Sequence, residues 1–533
     1  MRVDEFVKKY NKFLVLFIIC IGFILRSIGY NWGEIVTFHP DEIRPVLALM
    51  TMSKTGNYCH SNWVYPSQVT SKLLAFIFNK VLIFYNISDI QFFFIYRLFT
   101  VIISTAVIYI SYRIMKKAKG ERFAIAFSTL IAISPTYTKF AKEIVGDNQV
   151  LFFWLLLVLF SMKYIDSLKT RYVIAMSLCA SCATMEKWNG ACICLYIAAV
   201  VIIFCWRQFY KILVQGTVAI VAYIGGIILI APNIIREFGS VIEQAWYAYD
   251  FKGGRSYPPI NSYPKLFLTY FGIVTTILLI IGCYSMINSI NKYSMIYMFG
   301  AICLLSQWLI MTRSYQERWG FGIFWTMYAL ILEGEAFLKE KYMSSKNKSW
   351  LLFRRVSVLL IVGCMITESF FYLILASSTS KDTRIKGREV LEDIGATPDN
   401  TLSGIYTVYN PGGISKSGES PFYLTDDVIA LDGDEPVIYL EGIKFVVLSS
   451  LSSQDSEIYK IITENGVLVD VITSDFNNLD LFWRERGHGS WYNPDCDTIM
   501  SALRDIQKIY NGALMGPTIT IYDISSFEYR DKE

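Results

Sequence analysis

Charge is scarce in this chain: Asp, Glu, Lys and Arg make up 18% of its 533 residues, against roughly 25% in soluble globular proteins. With 54% of residues hydrophobic, that deficit excludes an ordinary soluble multidomain protein. The basic excess is also small, a formal net charge of +4. No Lys/Arg block is interleaved with aromatics, so nucleic acid is not an expected partner. From about Ser377 onward, Walker sequences and Gly-rich phosphate fingerprints are absent. Cys182, Cys192 and Cys194 lack zinc-type spacing with histidines, and most other cysteines sit in apolar runs as small hydrophobes. Only Cys59 and Cys496 fall in segments expected outside the membrane. That leaves room for one disulfide and excludes a disulfide framework. The first apolar stretch, Phe13 to Tyr30, has no small-residue cleavage pattern after it and contains Arg26, so it reads as an uncleaved span.

What the chain does have is a series of apolar runs long enough to cross a hydrocarbon core about 30 Å thick. They recur from Phe13 to about Ala376 and then stop. Basic loops on alternate sides give their direction by the positive-inside rule. The expected spans are Phe13–Tyr30, Phe93–Met115, Phe123–Thr138, Val150–Tyr164, Tyr172–Met185 and Ala191–Cys205, followed by Ile212–Ile230, Leu266–Ile287, Tyr293–Met311, Phe321–Leu338 and Val356–Ala376. About eleven spans result, with the N-terminus cytoplasmic and residues 377–533 on the far side of a plasma membrane.

Outer segments carry the remaining pattern. Asp41 to Thr55 and Lys72 to Tyr85 look helical but are too short to span, so both are expected at the interface. A short helix is expected around Val241 to Tyr249, inside a Tyr-, Gly- and Pro-rich loop. After Ser377 the pattern alternates: a helix at Ile385–Ile394, strands at Leu402–Val408, Val437–Leu440 and Lys444–Leu448, a helix at Glu457–Glu464, and a strand at Thr518–Tyr522. That alternation predicts a small α/β domain. His488 is an isolated loop histidine with no motif around it.

Ionisable residues near a membrane boundary are costly, so their positions are informative. Asp41, Glu42, Glu143, Asp147, Glu186, Lys187, Arg236, Glu317 and Arg318 are all expected at outer ends of spans. Each alone could simply mark the water boundary. Several, however, sit in tight clusters with aromatics: Phe38-His39-Pro40-Asp41-Glu42, Glu186-Lys187-Trp188-Asn189-Gly190 and Gln316-Glu317-Arg318-Trp319. Together they predict one extracytoplasmic cavity holding acids and bases.

His39-Pro40-Asp41-Glu42 after a first span, Arg26 within that span and Arg97 opening the second, with Asp147, the Lys187 cluster and Arg318, resemble the GT-C superfamily of membrane glycosyltransferases. The protein O-mannosyltransferase and aminoarabinose-transferase branch is the nearest likeness. The resemblance covers residues 1–376. It implies an α-helical polytopic GT-C-like membrane domain there, and an enzyme that takes a sugar from a polyprenyl-phosphate donor. The tail, residues 377–533, does not identify the acceptor, which could be a glycan, a lipid or a protein.

The chemistry needs a carboxylate and cations. Asp41 is the candidate general base for an attacking acceptor hydroxyl. Glu42 is expected to orient Arg26 or the acceptor. Arg97, Lys187 and Arg318 are candidates to hold the departing phosphate. Asp41 and Asp147 could share a divalent cation at that phosphate, although the resembled branch does not require one. A transporter or flippase of a lipid-linked sugar is the competing reading; it lacks support from internal repeats or paired broken spans.

Overall fold

In the computed structural model, residues 3–30, 42–59, 67–81, 89–251, 262–310, 320–345 and 348–377 are described, as are 382–397, 399–404, 428–433, 435–450, 457–473 and 517–531 of the tail, with isolated positions between them. Among the described residues, every apolar run expected to span is largely helical. In chain order the helices are α1 (Val3–Ser27), α2 (Ile43–Thr55), α3 (Gln68–Val81), α4 (Asp89–Lys119), α5 (Glu121–Ile133), α6 (Pro135–Lys139), α7 (Asp147–Ser167), α8 (Thr170–Glu186) and α9 (Cys194–Cys205). Then follow α10 (Phe209–Ile230), α11 (Phe238–Phe251), α12 (Ser262–Asn288), α13 (Ile296–Ile310), α14 (Phe321–Ser345) and α15 (Lys348–Ser377). Among the described residues, 6 helical stretches are long and apolar enough to cross a membrane: 9–27, 91–119, 147–167, 188–205, 209–230 and 321–341.

Local chemistry sets the breaks. Gly120, at φ 88°, turns the chain between α4 and α5. The run expected as one span from Phe123 to Thr138 is divided at Pro135. Ser134 before it is extended at ψ 124°, as a residue preceding proline prefers, and α6 restarts with proline in its first turn.

The core lies where α4, α5, α7, α13 and α14 meet. Trp325 of α14 packs edge-on against Phe127 of α5 and Phe299 of α13, with ring centroids 5.2 and 5.8 Å apart. Trp154 of α7 continues the series at 5.8 Å from Phe299. The one polar atom of the Trp325 indole is satisfied by Ser111 of α4 at 2.9 Å. Helices α12 and α14 approach more closely still. A Cβ on Gly282 would lie 1.8 Å from the Leu330 carbonyl oxygen, and one on Gly334 would lie 2.1 Å from that of Leu278. Small residues permit such backbone contact in membrane bundles.

The end of the bundle that carries the basic loops is cross-braced. Asp166 accepts from Lys117, from Lys292 at 2.7 Å and from the Tyr293 hydroxyl at 2.8 Å. Glu333 meets Lys119 and Tyr297, and Glu335 meets Arg354.

The tail contains α16 (Thr383–Asp393), α17 (Glu457–Asn465) and two sheets. Strands β1 (Thr401–Ser403), β2 (Ile429–Asp432), β3 (Glu435–Ile438), β4 (Phe445–Ser449), β5 (Val467–Ile472), β6 (Ile519–Asp523) and β7 (Glu528–Tyr529) follow in order. The larger sheet runs β1-β4-β6-β5, with β1 parallel to β4 and the other pairings antiparallel. The smaller runs β2-β3-β7. All of β4 is buried because alternate residues enter opposite layers. Val446 and Leu448 pack with Ile458 and Ile462 of α17, while Phe445 and Val447 pack with Leu391 of α16. This is the expected α/β alternation, with β2, β5 and β7 added.

Candidate functional site

Asp147 begins α7 and Asp166 lies near its other end. A helix of 21 residues rises about 30 Å, so Asp147 belongs to the end of the bundle opposite the cross-braced one. The start of α7 is fixed by Gly146 at φ 77°, a conformation that glycine reaches without steric cost. Both Asp147 carboxylate oxygens accept from the Lys187 ammonium at 2.8 Å. Lys187 is extended at the junction between α8 and a 3-10 turn, Trp188–Ile193. Asp147 is 4% exposed, and its place in the first helical turn also favours negative charge.

A second buried pair lies nearby. Glu42 precedes α2 yet makes no cap for it. Its Oε2 accepts from Arg97 Nη2 of α4 at 3.0 Å, and its Oε1 accepts from the Ile144 backbone N–H at 2.9 Å. Both side chains are fully inside. Glu42 therefore joins α2, α4 and the segment entering α7. It meets Arg97 rather than Arg26, one of the two groups it was expected to orient; the other, the acceptor, stays an expectation.

Arg26 is committed elsewhere. Its Nε donates to Ser104 Oγ at 3.1 Å, Nη1 to the carbonyls of Gly22 and Ala132 at 3.1 and 2.9 Å, and Nη2 to that of Ile131 at 2.8 Å. Ile131 and Ala132 lie in the last turn of α5, where carbonyls have no helical partner. Arg26 thus ties the end of α1 to α4 and caps α5.

Two groups missed in the sequence contribute to this end. Lys142, in the 3-10 turn Phe140–Lys142, is buried and donates to the Ile28 carbonyl. Burial pulls its ammonium down to about 7, with Glu143 opposing the shift and Arg97 adding to it. A signal was available: Lys139 and Lys142 sit on the side where the charge bias predicts few basic residues. Trp63 is also buried. Its backbone N–H donates to Gln244 Oε1 at 2.7 Å, its indole to Glu237 Oε2 at 3.2 Å, and its carbonyl accepts from Trp188. It links α11 to the residue after Lys187.

Arg236 is exposed and joins neither pair. Asp41, Arg318 and Glu317, together with the His39-Pro40 run, lie outside the described residues. So do His488 and Cys496, whereas Cys59 is a free, exposed thiol. Among the described residues no group of three or more His, Cys, Asp or Glu is arranged to hold a metal ion, and the Asp41 half of the expected shared cation site falls outside them.

Neither a family model nor a curated protein matches the sequence. The fold matches solved structures over nearly its whole length. ArnT from Cupriavidus metallidurans, an aminoarabinose transferase bound to undecaprenyl phosphate, aligns at a TM-score of 0.55 and 11% identity, covering 98% of this chain and 99% of that one. The archaeal oligosaccharyltransferase AglB from Archaeoglobus fulgidus, in complex with an inhibitory peptide and a dolichol-phosphate, aligns at 0.51 and 10%, covering 97% and 89%. The apo form of an Archaeoglobus fulgidus oligosaccharyltransferase gives 0.50 and 10%, covering 83% and 70%. Both proteins are GT-C superfamily members, and this chain has their fold. The likeness runs past residue 376 into the tail, beyond the motifs that carry it in the sequence.

Proposed function

We propose that this chain is a glycosyltransferase that moves a sugar from a polyprenyl-phosphate-linked donor to an acceptor hydroxyl on the extracytoplasmic side of the membrane. The observation that carries the reading is the pair of buried acid–base contacts, Glu42–Arg97 and Asp147–Lys187, gathered at one end of a GT-C fold. Burying such charges costs several kcal/mol per ion, so their retention favours chemistry on a charged substrate over a purely structural role. The ligands of the structural neighbours agree in kind: one is bound to undecaprenyl phosphate and another to a dolichol-phosphate.

In this reaction the acceptor oxygen attacks the anomeric carbon, its proton passes to Asp41, and the bond from that carbon to the phosphate oxygen breaks. Polyprenyl phosphate leaves with both bonding electrons. Lys187, Arg97 and Arg318 offset the charge that develops on it, with guanidinium suited to two-point phosphate contact. Glu42 holds Arg97 for that task. Asp147 keeps Lys187 in place until the donor phosphate competes for it. If a divalent cation takes part, Asp41 and Asp147 are the carboxylates to hold it.

Comparison of cell-envelope glycans by mass spectrometry, with and without the gene for this chain, tests the reading. Loss of one sugar substituent from a glycan, lipid or protein is the expected result. An unchanged set of glycans together with displaced lipid-linked sugar would instead favour a transporter.

A further inference from the structure

Glu186 is a charged residue at a span end that neither acid–base pair uses. It is 1% exposed, and its contacts are unusually concentrated. One carboxylate oxygen, Oε1, accepts from the Thr70 backbone N–H at 2.6 Å and from the Thr70 hydroxyl at 2.7 Å. Its backbone carbonyl accepts from the Ser67 N–H at 3.2 Å. These contacts satisfy N–H groups at the start of α3, which have no partner inside the helix. Ser67 meanwhile is held at φ 32°, a region that is strained for a residue with a side chain.

The same Glu186 carbonyl also meets the segment that leads into the site. A Cβ on Gly146 would lie 3.0 Å from the Glu186 carbonyl oxygen, so the residue before Asp147 packs directly on it. Lys187 is the next residue in the chain. The backbone that Glu186 anchors therefore sets where the Lys187 side chain starts on its way to Asp147. The other carboxylate oxygen, Oε2, is buried without a hydrogen-bond partner among the described residues. Ser67 stands just before α3, but at φ 32° it lacks the extended backbone of an N-cap, and the Thr70 N–H is met by the carboxylate at the end of α8 instead.

We propose that Glu186 is a positioning residue, clamping the start of α3 onto the end of α8 so that Lys187 is held against Asp147. The inference rests on the reading of Lys187 as a ligand of the donor phosphate. Outer-loop helix α3 and the phosphate site then move as one unit.

The test uses the full chain in lipid nanodiscs and reads two quantities. The first, acylation of Lys187 by a water-soluble N-hydroxysuccinimide ester measured by peptide mass spectrometry, needs no activity. The second is KM for a polyprenyl-phosphate sugar. Glu186→Ala should raise Lys187 acylation about tenfold or more, as expected for loss of a charge-assisted hydrogen bond, and Glu186→Gln, which keeps an acceptor oxygen, should restore the wild-type rate. Donor KM should rise in the alanine variant and recover in the glutamine variant, with kcat little changed. If Glu186→Ala does not fold, Thr70→Val removes the hydroxyl half of the clamp and should raise acylation in the same direction. Wild-type acylation in the variant that folds overturns the clamp. Raised acylation with unchanged donor KM retains the clamp and removes Lys187 from the phosphate site.

Discussion

At the scale of single residues, the two ion pairs make different demands on the fold. Glu42 and Arg97 are sealed from solvent at 0% and 1% side-chain exposure, whereas Lys187 keeps 16%. Breaking a sealed pair strands a charge. Glu42→Gln or Arg97→Met alone should therefore lower stability by about 3–5 kcal/mol, and the double variant by less than the sum. Urea unfolding in detergent measures both, and additive losses would show that the two groups are not coupled. Lys142 gives a pH signature. Its pKa falls from an ordinary 10.5 to about 7 in the fold, so the unfolded chain binds this proton first as pH drops. Stability should decline from pH 10.5 down to about 7 and then level off, because below that both states carry the proton. Lys142→Met should flatten that slope in thermal melts across the same range. Residue types at this end were legible in the sequence, since Asp147, Lys187, Glu42 and Arg97 do come together. Their pairing was not legible, because which cation meets which acid depends on helix rotation. Arg26 illustrates this: Glu42 was expected to orient it or the acceptor, yet its donors close the end of α5.

At the scale of elements, hydrophobic run length located the helices well and their ends less well. The run containing Pro135 read as continuous because its apolar character persists across the break, while the backbone follows the proline. In the tail, β4 was visible as a dense apolar run. Strand β5 was missed although Val467–Ile472 is as rich in apolar and β-branched residues as β4; only the structure shows that Val467, Leu468 and Val471 face outward. Close helix contact was invisible for another reason, since a glycine in an apolar run reports nothing about what lies opposite. The coordinates supply that. Gly282→Ala places a methyl 1.8 Å from the Leu330 oxygen, so α12 and α14 must separate. A loss of about 1–3 kcal/mol is expected from such overpacking, read as a lower melting temperature. Gly216→Ala, with nothing within 4 Å of the new methyl, should leave the melting temperature unchanged or raise it.

At the scale of the whole molecule, apolar run length marked out a largely helical membrane protein, and the fold shared with the solved structures agrees with that. Sidedness follows from charge bias alone. Lys346→Cys should be protected from a membrane-impermeant thiol reagent in intact cells, and Ser415→Cys should react, each in a background with Cys59 and Cys496 replaced by serine. The reverse pattern would put the ion pairs on the cytoplasmic face, where soluble nucleotide sugars are available. The acceptor stays illegible at every scale because its recognition depends on side chains that no run length or charge bias reports.

The central claim is sugar transfer from a lipid phosphate. It is tested most directly by purified protein in proteoliposomes supplied with a polyprenyl-phosphate sugar labelled in the sugar, with Asp41→Asn measured beside it. The account predicts release of polyprenyl phosphate and label on an acceptor hydroxyl by the wild type, with turnover lower by roughly 10²-fold or more in the variant and donor binding kept. Lipid-linked sugar recovered intact, whether or not it has crossed the bilayer, would contradict it, as would an Asp41→Asn protein that turns over at the wild-type rate.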